Sequence, residues 1–246
     1  MNPVLRESLE IFFAEGQGFA IYFYLLIILA LVEFLSLYLP SLDAQMWSGS
    51  GNLFKVCSVA GLLLIVYFGL RVANQEYAPW RFKPLRYWLR DSGQPPTVVA
   101  QGQLAFLGAH LLCSLLLSAP FLVWAAAIAR TPLSGLAATL ALLAFYGFCY
   151  SVWGLVTLAL WERRPETRQV LIRCFFFFLV LATVLIYMPL NPAAYLLGVI
   201  GRQDLPPLAV AGMKWPANTI HFGFHLLLGT TGVAAHHWAL RRGLEH

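Results

Sequence analysis

The sequence has 246 residues, of which 60% are hydrophobic and only 11% are charged. A soluble globular domain carries about 25% charged residues, so this composition excludes an ordinary soluble protein and indicates a membrane protein. The net charge of +5 does not indicate a nucleic-acid partner, because the lysines and arginines lie in gaps between apolar runs and form no isolated basic face.

Residues 1–18 form the first segment, in which apolar side chains are mixed with Arg6, Glu7, Glu10 and Glu15. This mixture predicts a short interfacial helix that lies on the membrane surface ahead of the first span. We expect no cleavable signal peptide, because the segment lacks a basic n-region and a small-residue cleavage site.

Six apolar runs follow, and each approaches or exceeds the ~20 mostly apolar residues that a helix needs to cross a bilayer. They lie at about 19–39, 54–73, 99–129, 134–161, 171–189 and 218–240. We therefore predict an all-α integral membrane protein, with one transmembrane domain of six helices over residues 19–240. The third and fourth runs are longer than a bilayer requires and should tilt or protrude, with a kink at Pro120 in the third.

The distribution of lysine and arginine predicts the orientation of the chain. Six spans place both termini on one side. If that side is the inside, the inner segments carry twelve lysines and arginines, and the outer segments carry four: Lys55, Arg130, Arg202 and Lys214. The positive-inside rule then places both termini in the cytoplasm and the chain in the cytoplasmic (inner) membrane. Residues 241–246 become a cytoplasmic tail, in which His246 is given no role because the last residues resemble an expression-tag scar.

A basic, aromatic segment separates the second span from the third. Its cations are interleaved with Trp80, Phe82, Tyr87 and Trp88. If the segment is helical from Pro84, then Leu85, Trp88 and Leu89 share one face, and Arg86 and Arg90 share another. Such a helix would lie along the membrane surface with its rings in the headgroup layer. Two interpretations stay open: an inner loop that is basic only for topology, or a docking element for a soluble partner.

The last outer segment, residues 188–217, differs from the Ser/Gly-rich outer loop at 40–53. Its stretch Asn191–Ile200 is apolar but too short to span a bilayer. Proline is well placed in the first turn of a helix, so Pro192 predicts the start of a re-entrant or interfacial helix before the last span.

No motif indicates that the chain is an enzyme. It has no phosphate-binding loop, no His-Glu-x-x-His zinc motif and no Gly-x-Ser-x-Gly nucleophile elbow. His221 and His225 share a helix face and could ligate a metal or haem, with His110 as a third group. We favour a hydrogen-bonded structural role for these histidines, and so predict no metal site and no cofactor in this chain.

Glu33 is the acidic residue that lies well inside a predicted span. Burying such a group in a membrane costs roughly 2.5–3.5 kcal/mol on insertion scales, and it usually faces a bundle interior or a cavity. A structural role and a role in a transport pathway both remain open for Glu33.

The order of these features resembles a known family. A surface helix and two spans precede the basic segment, and a long span with Gln101-Gly-Gln103 and Ala119-Pro120 follows it. The fifth span runs through Met188-Pro189 into Asn191-Pro192, ahead of the outer stretch and the sixth span. Over essentially the whole chain, this layout resembles the membrane subunit of an ABC-2-type (type V fold) ABC transporter. The acidic pattern that this family usually carries before the third span is not clear here, where Leu85–Gly93 stands in its place.

The resemblance implies a permease subunit with two kinds of protein partner. One is a second membrane subunit, identical or related; the other is a cytoplasmic ABC ATPase subunit, which holds the ATP and Mg. The basic segment would be the cytoplasmic coupling helix, and the Glu162–Arg168 turn is a candidate second contact. The ATPase-coupling residues would be Arg81, Lys83, Arg86, Trp88, Arg90 and Asp91. The pathway and gate residues would be Glu33, Asn191, Pro192 and Tyr195. A pathway with many aromatics and few charges suits an amphipathic or lipid-linked substrate.

Two alternatives belong to other functional classes. One is a membrane-anchor subunit of a redox complex that binds haem or quinone through its transmembrane histidines; a Soret band in the purified protein would favour it. The other is a purely structural membrane subunit or an intramembrane enzyme. A neighbouring gene for an ATPase with a phosphate loop would count against both alternatives.

Overall fold

A computed structural model describes residues 1–14, 16–38, 51–210 and 213–243. Most of the predicted outer loop at 40–53 lies outside these residues, as do Glu15 and His246. The helices are α1 (Pro3–Ala14), α2 (Gln17–Tyr38), α3 (Leu53–Ala73), α4 (Pro96–Ile128), α5 (Leu133–Leu160), α6 (Pro165–Ile186), α7 (Pro192–Gly201) and α8 (Ala217–Arg242). A π-helical turn, Tyr87–Asp91, precedes α4, and a 3₁₀ turn, Met188–Leu190, precedes α7.

Five helices, α2 to α6, are long and apolar enough to cross a membrane. Their candidate spans are Gly18–Leu37, Leu53–Ala73, Pro96–Ile128, Leu133–Leu160 and Pro165–Ile186. The chain therefore has the character of a mainly helical, multi-pass membrane protein. The predicted sixth span coincides with α8, which is not among these five because its histidines and threonines lower its mean hydropathy. Its role as a span stays a prediction.

Two local features differ from the predicted elements. A pair of three-residue strands, β1 (Leu208–Val210) and β2 (Met213–Trp215), runs antiparallel between α7 and α8, with Leu208 opposite Trp215. Helix α7 has already ended at Gly201, where Arg202 takes the left-handed conformation, and Pro206 and Pro207 lie between that end and the strands. In addition, α6 begins at Pro165, earlier than the predicted start at residue 171, since proline fits the first turn of a helix.

Helices α3, α4 and α5 form the centre of the bundle, and α8 packs against α5. The α3–α5 contact is close because glycine is present on both helices. A Cβ atom at Gly154 would lie 2.7 Å from the carbonyl oxygen of Leu70 and 2.8 Å from the Cβ of Ala73. A Cβ at Gly69 would lie 2.1 Å from the Oγ of Ser151. Small residues thus let the two backbones approach each other directly.

Helix α6 is the least covered of the five candidate spans. Only 11% of its most apolar window is buried by the rest of the chain, against 61% for α3. Phe177, Phe178 and Leu185 are among its exposed side chains. Most of the surface of α6 is therefore left for lipid or for another protein.

The predicted inner segments meet at one end of the bundle, which we call the basic end. The backbone N–H of Lys83 donates to Glu7 Oε1 at 2.7 Å, and that of Leu85 donates to Glu162 Oε1. Leu89 packs in one cluster with Leu240, near the end of α8. Lys55 lies at the opposite end, beside Met188 and Asp204. The chain thus gathers α1, residues 74–95, the α5–α6 turn and the end of α8 on one side.

Candidate functional site

The basic segment leaves α3 through a turn that is fixed to two helices. Asn74 donates through Nδ2 to Glu76 Oε1 at 3.0 Å, and Arg71 donates through Nε to Glu76 Oε2 at 3.2 Å. The hydroxyl of Thr157, on α5, donates to Asn74 Oδ1 at 3.4 Å. Because Asn74 is buried, this turn is a fixed starting point for the residues that follow.

The segment is anchored by the apolar face that the sequence predicts. Leu85, Trp88 and Leu89 are buried in one cluster with residues from four helices. Those residues are Val4 of α1, Val99 and Ala100 of α4, Leu158 of α5 and Leu240 of α8. The expected regular α-helix from Pro84 is instead a short helical turn that widens into a π-turn, in which the N–H of Ser92 donates to the carbonyl of Tyr87 at 2.7 Å. The wider turn still keeps all three apolar side chains on the buried side.

The structure divides the predicted coupling residues into an exposed set and one anchor. The exposed residues are Arg81, Lys83, Arg86, Arg90 and Asp91. Trp88 is buried, so it fixes the segment to the bundle and is not itself an accessible contact. The Lys83 ammonium lies over the rings of Tyr87 and Trp88, at 5.1 and 5.0 Å from their centroids. We call this exposed, mostly cationic face the basic surface.

Two glutamates from different elements hold the backbone of the segment. Glu7, on α1, accepts from the backbone of Lys83, and Glu162, in the α5–α6 turn, accepts from the backbone of Leu85. Burial raises the pKa of both carboxyl groups, and the backbone hydrogen bonds oppose this effect in part. The basic surface is therefore clamped as well as anchored.

The raised pKa of Glu162 predicts a pH-dependent contribution to stability. A carboxyl whose pKa is higher in the folded protein stabilises the fold while it is protonated, and this contribution is lost as the pH rises through the folded-state pKa. We expect the melting temperature of the wild type to fall as the pH rises above about 4.5, and to fall less in Glu162→Gln. Glutamine keeps an oxygen that accepts from Leu85. Glu166→Gln, at an exposed site in the same region, is the control, and identical pH profiles for the wild type and Glu162→Gln would contradict the assignment.

At the opposite end, the structure brings together three of the predicted gate residues. Asn191 caps α7 by accepting from the backbone N–H groups of Ala193 and Ala194, both at 3.0 Å. Pro192 is the first residue of α7, as predicted. The hydroxyl of Tyr195 donates to Asn218 Oδ1 at 3.0 Å, which ties α7 to the start of α8.

Glu33, the fourth predicted gate residue, lies elsewhere. It is 6% exposed on α2, beside Cys57. It lines an open groove of about 320 Å³ with Pro120, Phe121 and Trp124 of α4. Within the described part of the chain, its Oε1 has no hydrogen-bond partner. The structure therefore places Glu33 in a groove between α2 and α4, and not with Asn191, Pro192 and Tyr195.

His221 and His225 are part of a buried hydrogen-bonded network. His221 Nδ1 lies 2.7 Å from the carbonyl oxygen of Pro189, to which it donates, and His221 Nε2 lies 2.6 Å from the Tyr146 hydroxyl, from which it accepts. His225 Nδ1 lies 2.9 Å from the carbonyl oxygen of His221, and His225 Nε2 lies 3.2 Å from the Tyr150 hydroxyl. Because all four ring nitrogens have protein partners, the structural role predicted for this pair agrees with the geometry.

Tyr146 and Tyr150 were not predicted from the sequence as site residues. Their signal was their spacing, since the two tyrosines are four residues apart, as the two histidines are. Equal spacing on both helices allows two bonds in register, and both bonds join residues 75 positions apart. The same pattern shows that α5 and α8 run in the same direction.

His110 lies at a separate place, on α4. Its Nδ1 is 3.2 Å from the Tyr22 hydroxyl, and its ring is also packed against Phe12. Among the residues that the structure describes, no three His, Cys, Asp or Glu side chains cluster as a metal site would need. His110, His221 and His225 therefore do not form one ligand set.

Comparisons of the chain with protein-family models, with curated proteins and with solved structures gave no match. The function is accordingly inferred from the geometry of the chain itself. The inference uses the basic end and not the opposite end, because the basic end combines an exposed charged surface with direct packing against four helices.

Proposed function

We propose that the chain is the membrane permease subunit of an ATP-driven ABC transporter of the ABC-2 type. It would move an amphipathic or lipid-linked substrate across the cytoplasmic membrane while a separate subunit hydrolyses ATP. The observation that carries this proposal is the construction of the basic segment. Its cations are exposed to a soluble partner, while its apolar face packs against α1, α4, α5 and α8 at once.

This construction suits the transmission of a movement. A partner that presses on Arg86 and Arg90 also displaces Trp88 and Leu89, which pack directly on the transmembrane helices. Helix α4 begins immediately after the segment and runs for 33 residues, with Pro120 inside it, a length of about 50 Å. Tightly packed helices move as units and do not deform smoothly. A push at the basic end would therefore reach the far side of the membrane through α4.

The position of the basic segments supports the proposed topology. Four segments that the positive-inside rule assigns to the cytoplasm lie at one end of the bundle, and α8 runs in the same direction as α5. We take α8 as the sixth span on this ground, with α1 as the interfacial helix and both termini in the cytoplasm. The α7 helix would then be the outer re-entrant stretch, with Asn191 and Tyr195 fixing it to its neighbours.

We place the proposed second membrane subunit on α6 and on the exposed face of α2. Helix α6 makes few contacts with the rest of the chain, and both helices carry large exposed apolar side chains. A pathway for an amphipathic substrate between two such surfaces needs few charged groups. ATP and Mg belong to the ATPase subunit, since this chain carries no nucleotide-binding motif.

The redox alternative gains no comparable support. A haem or metal needs free imidazole nitrogens that point at one place, and in the described structure all four nitrogens of His221 and His225 are already hydrogen-bonded within the protein. His110 Nε2 has no partner among the described residues, but His110 lies apart on α4, and no three His, Cys, Asp or Glu side chains of the described residues cluster as a metal site would need. The basic end offers no feature specific to a redox subunit.

Affinity purification from the native host in mild detergent tests the proposal. We expect the wild type to bring down an ATPase with a phosphate loop, and Arg86→Glu combined with Arg90→Glu to reduce the recovered ATPase by about tenfold or more, because reversed charges repel a matched surface. Arg241→Glu combined with Arg242→Glu makes the same change of charge at exposed positions of the same end and is the control. Recovery of redox subunits without an ATPase, or an unchanged ATPase yield in the first variant, would overturn the proposal.

A further inference from the structure

Arg168, in the first turn of α6, is a buried arginine in which two guanidinium nitrogens have no hydrogen-bond partner among the described residues. The residue is only 4% exposed. Its Nε and Nη1 are buried and have no partner among the residues described by the structure. A buried cation without hydrogen bonds is unfavourable, so such a group is expected to meet an anion.

Arg168 lines a cavity of about 300 Å³ beneath the basic surface. Lys83, Arg86 and Arg163 also line this cavity, with Glu162 as its acidic residue. A second cavity of about 500 Å³ shares Arg86, Glu162 and Arg163, and adds Arg90 and Arg164. Together the two cavities bring six cations around a single carboxylate. The lining therefore has a large excess of positive charge.

The nearby carboxylates do not remove this excess. Glu162 and Glu76 attract Arg168 electrostatically. However, Glu162 accepts from the backbone of Leu85, and Glu76 accepts from Arg71 and Asn74. Neither carboxylate forms a hydrogen bond with Arg168. Arg168 thus lines a cavity in which an anion would find several more cations.

We propose that the first cavity, which Arg168 lines, binds a phosphate group. The headgroup of an anionic phospholipid would supply this phosphate. The guanidinium group of arginine can donate two parallel hydrogen bonds to the oxygens of a phosphate, and basic pockets at the cytoplasmic ends of transmembrane helices bind anionic headgroups. Leu160 and Trp161 line the adjoining second cavity next to the cations. Apolar surface is therefore present where the glycerol and acyl chains of the bound lipid would extend away from the phosphate. The inference does not rest on the proposed transporter function. It requires only that the basic end lies at a membrane surface.

Native mass spectrometry of the full chain in detergent, with dioleoylphosphatidylglycerol or dioleoylphosphatidylcholine added, measures the site directly. We expect the wild type to retain phosphatidylglycerol in preference to phosphatidylcholine, and Arg168→Gln to weaken retention by about tenfold, as expected for the loss of charged hydrogen bonds. Arg163→Gln changes an exposed lining residue and should also weaken retention if Arg168→Gln does not fold. Arg173→Gln, at an exposed site on the same helix, should retain the lipid as the wild type does.

Two further outcomes decide the source of the anion. Displacement of phosphatidylglycerol by millimolar inorganic phosphate alone would support the phosphate site and assign it to a free anion. Equal retention of the two lipids by the wild type would overturn the lipid assignment. So would an Arg168→Gln variant that keeps phosphatidylglycerol but loses a co-purifying protein, because the cavity would then receive an acidic side chain of that partner.

Discussion

Replacing His221 with leucine is expected to lower the free energy of unfolding by about 2–3 kcal/mol, because the change leaves two buried polar groups without partners. These groups are the hydroxyl of Tyr146 and the carbonyl oxygen of Pro189. The change also removes the stacking of His221 on Tyr195, whose ring centroids are 3.7 Å apart. The loss of stability is measured in detergent as the shift of the thermal or denaturant-induced unfolding transition.

His237→Leu provides the matched control for His221→Leu. His237 lies on the same helix and is only half-buried, so the same replacement there should change stability by less than about 0.5 kcal/mol. Tyr146→Phe should lower stability on its own by about 1 kcal/mol. Combined with His221→Leu it should add little, since the shared bond is already lost. Equal effects at His221 and His237 would show that the network does not stabilise the fold.

The second large effect is expected at the contact between α3 and α5, where Gly154→Ala should lower the free energy of unfolding by about 1–3 kcal/mol. The new methyl group would meet the carbonyl oxygen of Leu70 at 2.7 Å, and that backbone cannot turn aside. The helices must separate, which loses packing along their length. The intrinsic preference of helices for alanine over glycine, about 0.5–1 kcal/mol, acts in the opposite direction.

Gly108→Ala isolates that opposing preference. A Cβ at Gly108, in the middle of α4, would have no described atom within 4 Å, so alanine should be neutral or slightly stabilising there. A destabilised Gly154→Ala beside an unchanged or stabilised Gly108→Ala would locate the effect in the α3–α5 contact. If both variants are stabilised, the close approach of these two helices does not limit stability.

The positions of the candidate spans could be predicted from the sequence, because the length of an apolar run is fixed by the bilayer and needs no knowledge of tertiary contacts. The first four predicted spans agree with α2 to α5 within a few residues. The fifth begins earlier, since Pro165 starts the helix while the residues after it are still polar. The β1–β2 pair could not be predicted, because such short strands depend on pairing and leave little periodic signal.

The candidate site was only partly predictable. The spacing of Leu85, Trp88 and Leu89 predicted their common face, because that pattern is local. Their anchoring was not predictable, since it uses Val4 and Leu240 from distant parts of the chain. The same limit applies to Arg168. In the sequence it resembles Arg163 and Arg164 of the same turn, and only the fold buries one and exposes the other two.

The cluster beneath the basic surface has a consequence for the biogenesis of the protein. It is assembled from the first helix, the middle of the chain and the end of the last helix, so it is complete only when α8 has reached its place. A chain whose α8 is missing or wrongly inserted would leave Trp88 and Leu89 without part of their packing. If the basic surface binds a soluble partner as proposed, that partner would meet the complete surface only after α8 has been inserted correctly.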